Sequence, residues 1–186
     1  MTTGEQRKLI RNKIESGACP QQVYDELHGP GNAADEKLAD AVRYMPTMER
    51  RAKYRTGHYV LMGLLLLAAG WNLSAWAYVQ KPVNISMVPM AIFGLGYLTA
   101  LFAVAKYWRR AHAYASLLAF LEVMQSRNLP QATDATGLLP VLLLGATAVL
   151  AMWLQRELTP DYILLKEHYK NADGQARMRR VVRFGD

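Results

Sequence analysis

The sequence predicts an all-α fold: a polytopic transmembrane helix bundle, four helices favoured and three the alternative, with a small N-terminal cytosolic three-helix unit. Three observations lead there. Of the charges in this 186-residue chain, 18 lie in residues 1–56, while residues 57–105 carry only Lys81. Three stretches, 56–80, 82–105 and 135–155, hold no charged side chain. Each reaches the roughly 20 apolar residues that a helix needs to cross about 30 Å of hydrocarbon. Residues 3–46, in contrast, repeat short helical periodicities between glycines and prolines. A collagen, a disulfide scaffold (Cys19 is the lone cysteine) and a fully disordered chain are excluded, and a uniformly soluble domain does not segregate its charges this way.

The N-terminal module, residues 1–46, divides into three helices. The first is expected from about Gly4 to Ser16, with Thr3 as cap, Leu9, Ile10 and Ile14 on one stripe, and Gly17 as stop. The second starts at Pro20, a favoured first-turn residue, and buries Val23, Tyr24 and Leu27. The third spans about Ala34 to Met45, with Leu38, Ala41, Val42 and Met45 at helical spacing. So few core residues make the unit marginal alone, so it is expected to lean on the bundle, a second copy or a partner. Its spacing resembles small protein-binding modules of the ubiquitin-associated or helix-turn-helix kind.

Thr47 caps a helix that is expected to run through Arg50, Arg51, Lys53 and Arg55 into the membrane. The bundle occupies 47–156, with spans at about 57–79, 85–106, 110–126 and 137–155. Trp71, Trp76 and Tyr78 near the end of the first span, Tyr107 and Trp108 after the second, and Trp153 in the last suit the headgroup layer. No early apolar segment in the first 56 residues reads as a secretory signal. Ser16–Cys19 looks like a lipoprotein cleavage site, but the charged residues before it are unfit to enter a membrane.

The third span decides the topology. It is short and contains His112 and Glu122, so hydropathy alone reads it as an interfacial or cytosolic helix. Basic residues argue for a crossing. With four spans and a cytosolic N-terminus, the short internal segments carry eleven Lys and Arg, and only Lys81 and Arg127 face outward. The cost is one carboxylate in lipid, which can snorkel, pair with Arg127 or face a neighbouring helix. The absence of Gly and Pro between Gly96 and Pro130 leaves open a continuous helix into the cytosol.

The final segment, 157–186, is expected to be a basic cytosolic tail. Thr159, Pro160 and Asp161 read as the start of a helix carrying Ile163, Leu164 and Tyr169 as far as Lys170, with 171–174 as a turn. Residues 177–184 read as a short strand or a disordered basic end. The Arg51-Ala52-Lys53-Tyr54-Arg55 entry to the first span and the Thr159-Pro160-Asp161-Tyr162 exit from the last, followed by Asn171-Ala172-Asp173-Gly174, resemble small, uncharacterised bacterial inner-membrane proteins with four helices. That resemblance implies a topology and no activity.

Catalytic patterns are missing from the sequence. His28, His58, His112 and His168 have no metal-ligand spacing, and no phosphate-binding, dinucleotide, HExxH or GxSxG motif occurs. No catalytic residue, cofactor or metal is therefore expected. Gly96 with Ala100, Thr147 with Ala151, and Gly63 with Gly70 are small enough for close helix packing. Candidate intramembrane polar residues are Glu122, Asn72 and Thr147, with Ser74 and Thr99 in secondary positions. Candidate contacts with anionic lipid are Arg50, Arg51, Lys53, Arg55, Arg109 and Arg110. Ten basic against eight acidic residues in 1–56 leave too little positive field for a nucleic-acid partner. The expected function is a non-enzymatic membrane adaptor, scaffold or accessory subunit, bound to the bilayer and to a protein partner or a second copy. The alternative is a small oligomeric transporter or channel using the intramembrane polar residues.

Overall fold

Helices α1 (Thr3–Glu15), α2 (Pro20–His28), α3 (Glu36–Arg43), α4 (Met48–Lys53), α5 (Arg55–Tyr78), α6 (Val88–Ala105), α7 (Ala111–Val123) and α8 (Ala135–Leu158) precede strands β1 (Tyr162–Lys170) and β2 (Ala176–Phe184). The computed structural model describes residues 3–28, 35–78, 88–108, 110–125, 135–159, 161–170 and 176–185. The chain is mostly helical and divides into two compact units, Met1–Lys53 with Glu157–Asp186 and Tyr54–Arg156.

The first unit joins the two ends of the chain. Helix α1 stops where Gly17 takes φ +95°, a left-handed conformation that lets the Ala18 N–H reach the Lys13 carbonyl and the Gly17 N–H reach that of Ile14. Helix α3 is shorter than the expected 34–45, because Asp35 caps it: one carboxylate oxygen accepts from the Lys37 and Leu38 N–H groups at 3.0 and 3.1 Å. The Asp35 N–H in turn donates to the Tyr24 hydroxyl, whose ring is buried. Burial is the main reason that this phenol ionises only above its ordinary range. Ile10, Ile14, Val23, Tyr24, Leu38, Ala39 and Val42 form the core, and Val182 of β2 completes it, with Tyr162 and Phe184 packed alongside.

The helix expected over 160–170 does not form. Residues 162–170 are strand β1, paired antiparallel with β2 so that Tyr162 faces Phe184, Leu164 faces Val182 and Lys170 faces Ala176. Ile163 and Leu164 fall on opposite faces of this strand, so the spacing of Ile163, Leu164 and Tyr169 is not the one that the fold uses. The alternation wins because Tyr162 and Leu164 share a strand face with Val182 and Phe184, the residues that meet α2 and the core. The Gln21 side chain fastens this edge, donating to the Val182 carbonyl and accepting from the Phe184 N–H at 3.0 Å. The expected turn at 171–174 lies outside the described residues.

The second unit contains three helices long and apolar enough to cross a membrane, over Arg55–Ser74, Val88–Ala105 and Leu138–Leu158, and the shorter apolar helix Ala111–Val123. Tyr54 interrupts the helix expected to run unbroken from Thr47, separating α4 from α5. Nor is there a continuous helix from α6 into α7. Tyr107 and Arg110 both take positive φ, 50° and 60°, and the Tyr107 and Trp108 N–H groups close onto Val104 and Ala103 carbonyls. This is the same closure as at Gly17, made without glycine. The outward faces carry Leu66, Leu67, Ile92, Leu95, Phe102, Leu139, Leu142 and Met152, all exposed. Such a surface suits lipid and does not suit water.

Candidate functional site

Each helix of the second unit buries a stripe three and four residues apart. On α5 the stripe is His58, Leu61, Leu65, Ala68, Ala69 and Asn72. On α7 it is Ala111, His112, Ala115, Ser116, Ala119 and Glu122. Thus the buried faces of α5 and α7 each carry a histidine in their first turn and end on a polar group. At the far ends the two meet. The Asn72 amide Nδ2 donates to Glu122 Oε1 at 2.9 Å and to its own helix at the Ala68 carbonyl at 3.0 Å. Both side chains are almost wholly buried, Asn72 at 2% and Glu122 at 3% exposure. In hydrocarbon such a bond ties two helices at a defined register, because either group without partners is costly there.

Helix α6 closes on the same place. A Cβ added to Gly94 would lie 2.8 Å from Leu73 Cδ2 and 3.5 Å from Asn72 Cβ, so a larger residue between α6 and α5 must shift the Leu73 side chain. Gly96 approaches Leu118 of α7 with little more room, 3.1 Å. Ala100 and Ala151 are buried as the packing pattern expects, but Gly63 and Gly70 are exposed with open space beside them. Gly94 takes the packing role expected of that pair.

The near ends of α5 and α7 meet through rings. His58 stacks on Tyr107, centroids 4.4 Å apart and planes 8° from parallel, and His112 lies 5.7 Å from His58. His58 and His112 are buried, and His112 Nε2 has no hydrogen-bond partner among the described residues. The Gln155 side chain accepts from the Ala113 N–H at 3.2 Å, joining α8 to this end of α7. No group of three or more His, Cys, Asp or Glu side chains suited to a metal ion occurs among the described residues.

Of the expected polar residues, Asn72 and Glu122 are therefore brought together. Thr147 is fully buried on α8, its hydroxyl donating to the Leu143 carbonyl at 2.8 Å. Ser74 and Thr99 are exposed and donate within their own helices, to Trp71 and Gly96 carbonyls. Sequence reasoning passed over the pairing of His58 with His112 and the burial of Tyr97 and Ser116. A signal existed: positions 58, 61, 65, 68 and 72 and positions 112, 115, 119 and 122 repeat the same three-four spacing between a histidine and a polar group.

The basic candidates separate into two groups. Arg50 donates to the Glu157 carbonyl at 3.0 Å, and Arg51 lies 3.6 Å from Glu15, its side chain only 17% exposed. Both belong to the interior wiring of the first unit. The Arg11 hydrogen bond, then charge from Arg11 and Arg51 against the opposing effect of burial, holds the Glu15 carboxyl below its ordinary value. Lys53, Arg55 and Arg110 are exposed, with the Arg55 guanidinium over the Tyr59 ring at 5.5 Å, and Arg109 lies outside the described residues. No family model, no curated protein and no solved structure matches this chain.

Proposed function

We propose that this chain is a four-crossing protein of the bacterial inner membrane, with both ends cytosolic, that serves as a non-enzymatic adaptor or scaffold through the unit its two ends build. One observation carries the reading: residues before α5 and residues after α8 share a single apolar core, in which Val182 packs with α1–α3. A unit of this kind lies on one side of a membrane. The chain leaves it at Lys53 and returns at Glu157, so the number of crossings between them is even. Three long apolar helices make an odd number, and α7 makes the fourth. Its 13 residues extend about 20 Å, short of a full hydrocarbon thickness, and local thinning at such a helix is a modest cost. The bias of basic residues toward the ends and the α6–α7 turn favours the cytosolic side for the unit.

The adaptor role follows from what the unit presents. Its core is built, among the described residues, from α1–α3 and the hairpin, and the hairpin leaves Ile163 and Met178 exposed at 59% and 65%, one on each face of the ribbon. Exposed aliphatic side chains on a small folded unit favour a protein partner or a second copy. Purification of the full chain from detergent extract is expected to recover a stoichiometric partner or a self-associated form, lost in Ile163→Lys with Met178→Lys. Recovery of nothing above background, or of the same species from the double variant, removes the adaptor reading.

A further inference from the structure

The interior of the bundle is more polar than packing requires. His58, His112 and Glu122 are ionisable and buried, and α7, α6 and α8 each bury a hydroxyl residue in their middle portion, Ser116, Tyr97 and Thr147. The remaining inward residues combine small ones, among them Ala68, Ala100, Ala115 and Ala151, with Leu61, Leu65, Val104 and Leu144. Ionisable side chains within membrane segments characteristically face the bundle interior and mark proton and ion routes. His112 Nε2, in a side chain only 5% exposed, supplies a nitrogen with no hydrogen bond among the described residues at one end of this line.

We propose that the bundle carries protons between the two membrane faces along this line, from the Asn72–Glu122 pair to the His58–His112 pair. The activity is additional to the adaptor role and shares with it only the four-crossing topology. Glu122 and His112 are ten residues apart on α7, about 15 Å of helix, and Ser116 lies one turn from His112. Transfer along this line requires water molecules to bridge the steps between these groups. At Glu122 a carboxylate oxygen gains a proton while Asn72 Nδ2 donates to Oε1. At each hydroxyl one O–H bond forms as another breaks, and at His112 an N–H bond forms before the proton leaves for the cytosol. One proton enters for each that departs, and the transmembrane proton gradient is the only driving force. Among the described residues, Asn72 of α5 faces Glu122, and His58 and Tyr107 face His112.

The test uses the full chain in phospholipid vesicles holding a trapped pH-sensitive dye, with a potassium gradient and valinomycin imposing the membrane potential. The expected result is a change in internal pH faster than in protein-free vesicles. In Glu122→Gln and in His112→Phe it falls to the protein-free rate, while Glu167→Gln on the hairpin leaves it unchanged. Glu122→Gln keeps an oxygen for Asn72, so equal elution and thermal unfolding of this variant exclude misfolding as the cause. A wild-type rate equal to that of empty vesicles overturns the proposal, as does an undiminished rate in Glu122→Gln. Flux of potassium in place of protons, read with valinomycin omitted, overturns the choice of ion.

Discussion

The Asn72–Glu122 hydrogen bond joins two helices whose contact residues are 50 positions apart, deep enough that water does not replace a lost partner. Hydrogen bonds between membrane helices contribute about 0.6 kcal/mol on average, and leaving a buried acceptor unsatisfied costs about 1–3 kcal/mol. Asn72→Ala removes the donor and keeps the carboxylate buried. It is expected to lower unfolding stability in bicelles by about 1–2 kcal/mol, whereas Glu122→Gln, which keeps an acceptor oxygen, costs less than about 0.5 kcal/mol. Equal losses in the two variants would contradict a donor-to-acceptor bond between these side chains. The sequence makes each residue visible as a polar group in an apolar run. Their meeting is not visible, because it depends on the register of α5 against α7. The turn that leads into α7 is itself made by Tyr107 and Arg110, two left-handed residues with none of glycine's usual signature.

At the scale of elements, charge-free runs made α5, α6 and α8 readable, since length and apolarity alone define a spanning helix. Glycine spacing was a poorer guide to packing. Gly63 and Gly70 are seven residues apart and share a face, yet they point outward, while the close approach occurs at Gly94. Gly94→Ala must displace Leu73, and overpacking of this kind costs about 1–3 kcal/mol. Gly63→Ala meets open space and replaces a poor helix former by the best, so its effect is expected to be neutral or stabilising by up to about 1 kcal/mol. Thermal unfolding of the two variants in one detergent checks the contrast, and a Gly94→Ala protein as stable as wild type would refute the close contact. The hairpin was the least legible element. A two-stranded ribbon has little stability of its own. Residues 162–170 become a strand because Val182, more than 150 positions from Val23 and Tyr24, completes a core that α1–α3 leave open.

For the molecule as a whole, the expectation that the N-terminal helices need something to lean on has a local answer: the chain's own last residues supply it. The segment 157–186, expected as a separate basic tail, belongs to the same compact unit as residues 1–53. That closure converts an ambiguous count of hydrophobic segments into a parity condition. In the proposed reading, a bundle whose entry and exit belong to one folded unit crosses the membrane an even number of times, with α7 as the fourth crossing. The measurement that tests this most directly is labelling of single cysteines, in a chain with Cys19→Ser, by a membrane-impermeant maleimide on intact and on lysed cells. The positions are Thr3, Asn128 and Gly185. The account predicts that Asn128→Cys is labelled on intact cells, while Thr3→Cys and Gly185→Cys are labelled only after lysis. Labelling of Gly185→Cys but not Asn128→Cys on intact cells would place the chain ends on opposite sides and contradict it.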